Sequence, residues 1–245
     1  MAQKLIVGNW KMNGSLRSNA ARFQVLAGEV NLTNEVAVLV PFVYLAQAKG
    51  SLTGSAVVWG AQDVSNQTGG AFTGDVSAEM LADFACRYVL VGHSERRQYH
   101  AETDTTVADK FQNALYRSIT PILCVGESSA ERQAGQTEAV VVSQLNAVLD
   151  SLQNLDPTKF VVAYEPVWAI GTGTPATLDD IKNVHAVLRE RLNEWDSNGA
   201  AVRLLYGGSV NAENVASILP VPNVDGVLVG SASLETDDFV KIIHS

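Results

Sequence analysis

The sequence predicts an α/β protein that forms a (β/α)8 barrel as a single domain over residues 1–245. Short apolar runs recur along the chain, and segments with helical spacing separate them. Eight such units in 245 residues leave roughly 30 residues for each, the size of a βα repeat. Strict alternation of strand and helix predicts a parallel sheet with helical crossovers. An open, doubly wound sheet is the alternative, but no Gly-x-Gly-x-x-Gly turn follows the first run, as a dinucleotide-binding fold would require.

The predicted strands are short, rich in β-branched residues and apolar at successive positions. This pattern is typical of parallel strands that are buried on both faces. In chain order they are Leu5 to Val7, Val36 to Val40, Ala56 to Trp59, Tyr88 to Val91, Pro121 to Val125, Phe160 to Ala163, Val202 to Leu205 and Val227 to Val229.

The clearest predicted helix follows the sixth strand. Thr177 is a good N-terminal cap, and Asp179 and Asp180 suit the positive end of the helix dipole. The side chains that recur at intervals of three and four are Leu178, Ile181, Val184, His185, Leu188 and Leu192. This spacing predicts an amphipathic helix that covers the sheet.

The composition excludes several classes of protein. Twenty-six acidic against seventeen basic residues give a net charge of −9, which is unfavourable for binding nucleic acid or anionic membranes in general. No apolar stretch approaches the ~18 residues of a membrane span, and the N-terminal apolar run is too short for a signal peptide. Cys86 and Cys124 lack C-x-x-C spacing and lie in apolar surroundings. We therefore expect buried thiols in a reducing compartment.

Polar and small residues follow most of the predicted strands. In a barrel of this type the chemistry takes place at the C-terminal strand ends. The residues there are Asn9 to Lys11, Gln62 and Asp63, Gly92 to Glu95, Gly126 and Glu127, Tyr164 to Pro166, Gly207 to Ser209, and Gly230 and Ser231. The last two turns suit phosphate, which such turns bind through backbone N–H groups.

Three of these residues are candidates for catalysis. Lys11 is equally compatible with a solvated loop lysine, and His93 with a structural histidine. Glu165 directly follows a buried strand, and Pro166 biases it towards an extended conformation. A carboxylate beside Val167 and Trp168 should be partly desolvated, which raises its basicity. The four histidines lack metal-ligand spacing, and no Gly-x-Ser-x-Gly turn of a serine hydrolase is present.

Four segments resemble the signatures of the triosephosphate isomerase family, in the same order and across essentially the whole chain. They are Gly8 to Asn13, Val91 to Arg97, Ala163 to Gly173 and Leu205 to Val210. The resemblance implies a TIM barrel that interconverts dihydroxyacetone phosphate and glyceraldehyde 3-phosphate through an enediolate. It also implies a cytoplasmic enzyme of glycolysis and gluconeogenesis that needs no cofactor.

The resemblance also implies roles for single residues. Glu165 would be the base, and His93 the electrophile, kept neutral by the N-terminus of a helix that begins at Ser94, a pairing for which triosephosphate isomerases are the standard example. Lys11 would stabilise the enediolate and the phosphate, with Asn9 positioning it and donating a hydrogen bond. Glu95 would hold Lys11 or Asn9.

A lid and a phosphate site follow from the same resemblance. Residues 166–176 would form the lid, which Tyr206 and Ser209 would latch when it closes. The residues that would contact the phosphate are Gly171, Ser209, Gly230 and Ser231.

Residues 67–75 resemble the loop that inserts into a partner subunit, so the resemblance implies a homodimer through residues 69–75. Phe72 and Thr73 would lie near the tip of this loop. The chain departs from the usual family pattern at three places: Thr174-Pro175 replaces a common Lys-Thr pair, Ser231 a glycine, and Asp63 a frequent asparagine. None of these departures removes a catalytic group.

Three other functions are compatible with the residues. One is a Schiff-base aldolase with Lys11 as the nucleophile, although such a lysine should be desolvated. Another is a different sugar-phosphate isomerase or epimerase with the same phosphate turns. The third is a binding protein without activity, against which the presence of Lys11, His93 and Glu165 argues.

Overall fold

Eight parallel strands close into a barrel, in which each strand pairs with its neighbours in the chain and β8 returns to β1. The computed structural model describes residues 3–152, 155–170 and 175–245. The strands are β1 (Leu5–Asn9), β2 (Glu35–Val40), β3 (Val57–Ala61), β4 (Tyr88–Val91), β5 (Thr120–Val125), β6 (Val161–Tyr164), β7 (Arg203–Tyr206) and β8 (Gly226–Val229). Leu5 pairs with Glu35 of β2 and with Gly226 of β8. The predicted barrel is therefore confirmed, and the open sheet is wrong.

Helices connect the strands of the barrel. They are α1 (Leu16–Gly28), α2 (Leu45–Leu52), α3 (Ala78–Asp83), α4 (Ser94–His100), α5 (Asp104–Tyr116), α6 (Ser129–Gln133), α7 (Thr137–Leu149), α8 (Leu178–Trp195), α9 (Val215–Ile218) and α10 (Thr236–Ile243). None of the helices in the described ranges is long and apolar enough to cross a membrane.

Each predicted apolar run overlaps a strand, with ends that agree within two residues. The largest difference is at β3, which continues through Gly60 to Ala61 because these two residues pair with Tyr88 and Val89 of β4. A Cβ atom at Gly60 would lie 2.1 Å from the carbonyl oxygen of Tyr88. Only glycine allows this approach, so a residue that interrupts the apolar run belongs to the strand.

The strands are buried on both faces and contribute to two cores. Alternate side chains point into the barrel, because successive residues of a strand face opposite sides. The interior set includes Leu5, Val7, Ala37, Leu39, Tyr88, Leu90, Ile122, Cys124, Val161, Ala163, Leu205 and Leu228. The residues between them, such as Ile6 and Val38, pack against the surrounding helices. This double burial explains why the strands lack the polar alternation of a half-exposed sheet.

Helix α8 begins where the sequence predicts. The Thr177 hydroxyl accepts a hydrogen bond from the Asp180 N–H at 3.1 Å, and the Asp180 carboxylate accepts one from the Thr177 N–H at 3.0 Å. This reciprocal capping satisfies two N–H groups that would otherwise lack partners. The apolar side of α8 is buried, with Ile181, Leu188 and Leu192 almost inaccessible to solvent.

His185 of α8 is completely buried and neutral. Its Nδ1–H donates to the Asn223 carbonyl oxygen at 2.9 Å, whereas Nε2 has no hydrogen-bond partner among the described residues. Burial lowers the pKa of His185 to about 4, although the Asn223 carbonyl and Asp225 act in the opposite direction. In the folded protein, His185 therefore stays unprotonated at pH values between about 4 and about 6.5, at which the histidine of the unfolded chain binds a proton.

We expect this histidine to make the protein less stable in acid. Its contribution to stability is complete above about pH 6.5, declines by about 1.4 kcal/mol per pH unit as the pH falls to about 4, and changes no further below that value. Urea unfolding of wild type and His185→Gln at fixed protein concentration checks this. The difference in unfolding free energy between the two should shrink from pH 6.5 to 4.5, and a constant difference would contradict the expectation.

Candidate active site

One cavity at the C-terminal end of the barrel, with a volume of about 430 Å³, collects side chains from five strand ends. The sequence-predicted site residues that line it are Asn9, Lys11, His93, Glu165, Ser209, Gly230 and Ser231. Glu95 reaches the site through Lys11, whereas Tyr206 does not line the cavity and is buried in the core between the barrel and its helices. Gly171 and Thr174, which the sequence placed in the lid, lie outside the described residues.

His93 lies at the start of α4 and acts as its N-terminal cap. Its Nδ1 accepts the Glu95 backbone N–H at 3.3 Å, so this nitrogen carries no proton. The remaining ring proton therefore lies on Nε2, which faces Glu165 Oε1 at 3.1 Å and the Asn9 side-chain nitrogen at 3.3 Å. The sequence predicted this helix start, and the geometry supplies a neutral imidazole with a donor directed into the cavity.

Glu165 is only 3% exposed and forms a close pair with His93. Its Oε2 also accepts the Ser94 N–H at 3.4 Å. Burial raises the pKa of Glu165, but His93 and then Lys11 outweigh it and bring the pKa below its usual value. Burial has the largest single effect on the pKa of His93 and lowers it. The neighbouring carboxylates, first Glu165 and then Glu95, together raise this pKa above its usual value.

One expectation from the sequence is therefore wrong for the site without a ligand, and a second, the neutral state of His93, is opposed by the same contact. Glu165 is desolvated as predicted, yet its basicity is reduced rather than raised. The helix N-terminus contacts His93 as predicted, yet the pKa of the imidazole is raised. Both differences have one cause, the direct contact between the two side chains. A ligand between them would remove that contact and leave the effects of burial and of the helix.

Lys11 is held in a backbone conformation that is uncommon for lysine, with φ at +51°. The Asn9 Oδ1 accepts its N–H at 3.0 Å, and the Gln62 Nε2 donates to its carbonyl oxygen at 3.0 Å. The ammonium group pairs with Glu95 Oε1 at 2.5 Å. These three contacts direct one positive charge into the cavity of a net acidic chain.

The turns after β7 and β8 form the opposite side of the cavity. The Ser209 hydroxyl donates to the Ala169 carbonyl oxygen at 2.8 Å, which joins the turn after β7 to the segment after β6. A Cβ atom on Gly230 would lie 3.6 Å from Lys11 Cε, so the last turn is adjacent to the ammonium group. The exposed Ser231 follows. Backbone N–H groups beside a lysine suit a phosphate.

Sequence reasoning missed how two residues shape the site. Gln62 holds the Lys11 carbonyl, and its position directly after β3 was the signal that could have found it. Gly207 borders Glu165, because a Cβ atom there would lie 2.8 Å from Glu165 Cγ. No sequence pattern distinguishes this glycine from an ordinary turn glycine.

Gly207→Ala is expected to lower kcat/KM by about tenfold to a hundredfold, since Glu165 is a candidate catalytic group and a displacement of about 1 Å has an effect of that size. The new methyl group pushes the Glu165 side chain away from its place. Steady-state kinetics with a thermal melt would measure this. Gly50→Ala is the control, because nothing lies within 4 Å of its Cβ position. Equal kinetics in the two variants would contradict the expectation.

No group of three or more His, Cys, Asp or Glu side chains is arranged to hold a metal ion in the described part of the chain. The cavity instead combines an ionised carboxylate, an imidazole N–H donor and an ammonium group within one barrel mouth. Such a set can move a proton from carbon and stabilise the resulting oxyanion.

Comparison with known proteins gives a consistent result. The family model described as "Triosephosphate isomerase" matches residues 4–245. The protein of that name from Paracidovorax citrulli is 56% identical over 245 residues, covering 98% of this chain and 97% of the relative. Those from Delftia acidovorans, at 55% identity and 99% and 98% coverage, and Cupriavidus necator, at 54% identity and 99% coverage of both chains, are similar along their whole lengths.

Proposed function

The chain belongs to the triosephosphate isomerase family and interconverts triose phosphates, and from that premise we propose which of its residues carry the reaction and in what assembly. We propose that residues 1–245 act as one barrel domain. Glu165 is the base, His93 the electrophile, and Lys11 the cationic stabiliser. The observation that supports this assignment is the 3.1 Å contact between Glu165 Oε1 and His93 Nε2 in a cavity that also contains the Lys11 side chain.

The first half of the reaction forms the enediolate. Glu165 removes a proton from C1 of dihydroxyacetone phosphate, and the electrons of the C–H bond move into a C1–C2 double bond as the C2 carbonyl oxygen gains negative charge. The Nε2–H of His93 donates a hydrogen bond and then its proton to that oxygen. Binding of the substrate separates Glu165 from His93, which restores the basicity that their contact suppresses.

The second half returns the protons. His93 recovers a proton from the O1 hydroxyl as C1 becomes a carbonyl, and protonated Glu165 delivers its proton to C2. The product is glyceraldehyde 3-phosphate, with no net gain or loss of protons by the protein. Asn9 donates a second hydrogen bond to the substrate oxygens and positions Lys11, whose backbone N–H it already binds.

The phosphate occupies the side of the cavity formed by the turns after β7 and β8. Ser209, Gly230 and Ser231 supply hydrogen-bond donors there, and Lys11 supplies the positive charge. The proposed contact of the Gly171 N–H, and the latching of the lid by Tyr206 and Ser209, rest on the resemblance.

A coupled assay on purified protein tests the function. Both directions of the triose phosphate interconversion should proceed without an added cofactor, and ketose and aldose phosphates of other lengths should react poorly. Turnover of another sugar phosphate in preference to the trioses would instead support a different isomerase on the same fold.

The Schiff-base alternative fits the site less well. Such an enzyme needs a neutral, desolvated amine, whereas Lys11 forms an ion pair with Glu95 at 2.5 Å and is partly exposed. Borohydride with dihydroxyacetone phosphate should leave no adduct on Lys11. A covalent adduct found by mass spectrometry would favour the aldolase.

We propose further that the enzyme is a homodimer in which residues 69–75 of each subunit insert beside Lys11 of the other. A second cavity of about 630 Å³ lies next to Lys11 and is bordered by Met12, Phe42 and Tyr99. Met12 is 96% and Tyr99 72% exposed in the single chain. Phe72 of the loop is also exposed. An apolar loop tip and an open apolar cavity are complementary surfaces of one protein.

Phe72→Asp is expected to raise the dimer dissociation constant at least about thirtyfold, since an aromatic hot spot at an interface contributes about 2 kcal/mol or more. Activity per chain should then fall on dilution. Sedimentation velocity measures the assembly. Val30→Asp is the matched control, because Val30 is exposed after α1 and outside this loop. A wild-type protein that sediments as a fully active monomer would contradict the proposal.

The cytoplasm is the proposed location. Cys86 and Cys124 are buried, unpaired thiols, and burial raises the pKa of Cys86 to about 12. Inert free thiols of this kind are typical of proteins from reducing compartments.

A further inference from the structure

Two adjacent polar side chains directly follow β3 and contact two segments that carry active-site residues. The Gln62 Nε2 donates to the Lys11 carbonyl oxygen and to the Leu39 carbonyl oxygen, both at 3.0 Å. Lys11 has the strained positive φ described above, and a strained backbone persists only where its surroundings hold it. Gln62, directly after β3, therefore holds the backbone of Lys11 in place.

The next residue, Asp63, closes a ring of four charged side chains. Its two carboxylate oxygens contact Lys110 Nζ at 2.6 Å and Arg96 Nη2 at 3.0 Å. Glu102 Oε1 contacts the same two groups, Lys110 Nζ and Arg96 Nε, each at 2.5 Å. Lys110 and Glu102 are buried, and the other two are partly buried. Two cations face two carboxylates, so an asparagine at position 63 would leave one positive charge without compensation.

This ring includes the helix that carries the catalytic histidine. Arg96 lies in α4, and its N–H binds the His93 carbonyl oxygen at 2.8 Å. The next residue, Arg97, ties α4 to Gly92 at the end of β4 and to Asp104 of α5. The contact between Asp63 and Arg96 ties the same helix to β3. β3 therefore holds Lys11 through Gln62 and α4 through Asp63.

We propose that Asp63 is a positioning residue for the isomerase reaction. By holding Arg96 it fixes α4 against the end of β3, and so sets His93 and Glu95 in place relative to Lys11. The inference rests on the proposed roles of His93 and Lys11. Asp63 borders the second cavity, so kcat is compared at protein concentrations at which sedimentation shows the variants in the same assembly as wild type. Asp63 does not line the substrate cavity, and the phosphate turns belong to β7 and β8. Its loss should therefore act on kcat rather than on substrate binding.

Asp63→Asn and Asp63→Ala test the proposal, with Asp225→Asn as the matched control. Asp225 holds Arg189 at 2.8 Å and immediately precedes β8, at the end of the barrel away from the site. We expect Asp63→Ala to lose about tenfold in kcat, the scale of a small displacement of catalytic groups, and Asp63→Asn to lose less, because its Oδ1 can still accept a hydrogen bond from Arg96. KM should stay within about twofold of wild type in both. The control should keep the wild-type kcat. The ¹⁵N signals of the His93 ring should move in the Asp63 variants and stay in place in the control.

A double variant separates the positioning effect of Asp63 from the effect of its charge. Asp63→Ala combined with Lys110→Met removes one charge of each sign, so the remaining Arg96–Glu102 pair is balanced. We expect this variant to regain stability but to keep the lowered kcat, because the link to β3 is still absent. It also supplies the measurement if Asp63→Ala alone does not fold. A return to the wild-type kcat would overturn the proposal, as would single variants with an unchanged kcat and unchanged His93 signals.

Failure of the proposed catalytic roles would look different. In that case His93→Gln would retain the wild-type kcat whatever the state of position 63. If only the role of Asp63 is wrong, His93→Gln is impaired and the Asp63 variants behave like Asp225→Asn.

Discussion

Glu165→Gln is expected to lower kcat by about 10² to 10⁴-fold, the usual contribution of a general base. The amide has nearly the shape of the carboxylate, so the barrel should fold as before, but it cannot accept a proton from carbon. Glu165 is the carboxylate in the substrate cavity, paired with His93 and bound by the Ser94 N–H. A coupled assay gives kcat, and the loss of solvent deuterium exchange at the substrate carbon shows that proton abstraction is the step affected.

Glu127→Gln is a suitable control for this variant. Glu127 is completely buried after the neighbouring strand β5, where its Oε1 accepts hydrogen bonds from Tyr164 and Trp168. A glutamine can still accept both, so we expect at most about a tenfold change. If Glu165→Gln retained more than a tenth of the wild-type kcat, another residue would have to be the base.

Lys11→Met should reduce kcat/KM by at least about 10² to 10³-fold, the effect of removing one group that stabilises an oxyanion. Lys11 borders both the turn after β8 and the cavity with His93 and Glu165, so both KM and kcat should worsen. Stability should change little, because the partner Glu95 is partly exposed and water can replace the ammonium group. Steady-state kinetics and a thermal melt provide the two measurements.

Lys11→Arg tests how much the positive charge itself contributes to catalysis. It retains the positive charge at a position whose backbone Asn9 and Gln62 continue to hold. Partial recovery relative to Lys11→Met would show that the charge matters. Equal, small losses in the two variants would contradict the proposed role of Lys11 in stabilising the enediolate.

The fold follows from local patterns that the chain carries without help from its tertiary contacts. Eight short apolar runs at regular intervals, separated by helical segments, can bury both faces of their strands only in a parallel sheet covered by helices. The cap of α8 at Thr177 is also local, since its hydrogen bonds join residues three apart. The number and length of the βα units predicted a closed barrel, and the pairing of β1 with β8 shows that the sheet is closed.

The candidate site was largely predictable for a topological reason. Parallel strands bring their C-terminal ends to one side of the barrel, so polar residues that follow apolar runs must converge there. Asn9, Lys11, His93, Glu165 and Ser209 all follow apolar runs in this way, and they line one cavity. The short signature segments then identify the family.

Only the tertiary structure decided how these groups act on one another. The pKa of Glu165 falls rather than rises, because β4 and β6 place it 3.1 Å from His93. The ring around Asp63 joins residues from β3, α4 and α5, and the space that Gly207 leaves for Glu165 depends on the neighbouring strand. Burial and periodicity are properties of a segment and can be predicted from its residues. Electrostatic contacts depend on atomic distances between segments that are far apart in the chain, and folding alone sets those distances.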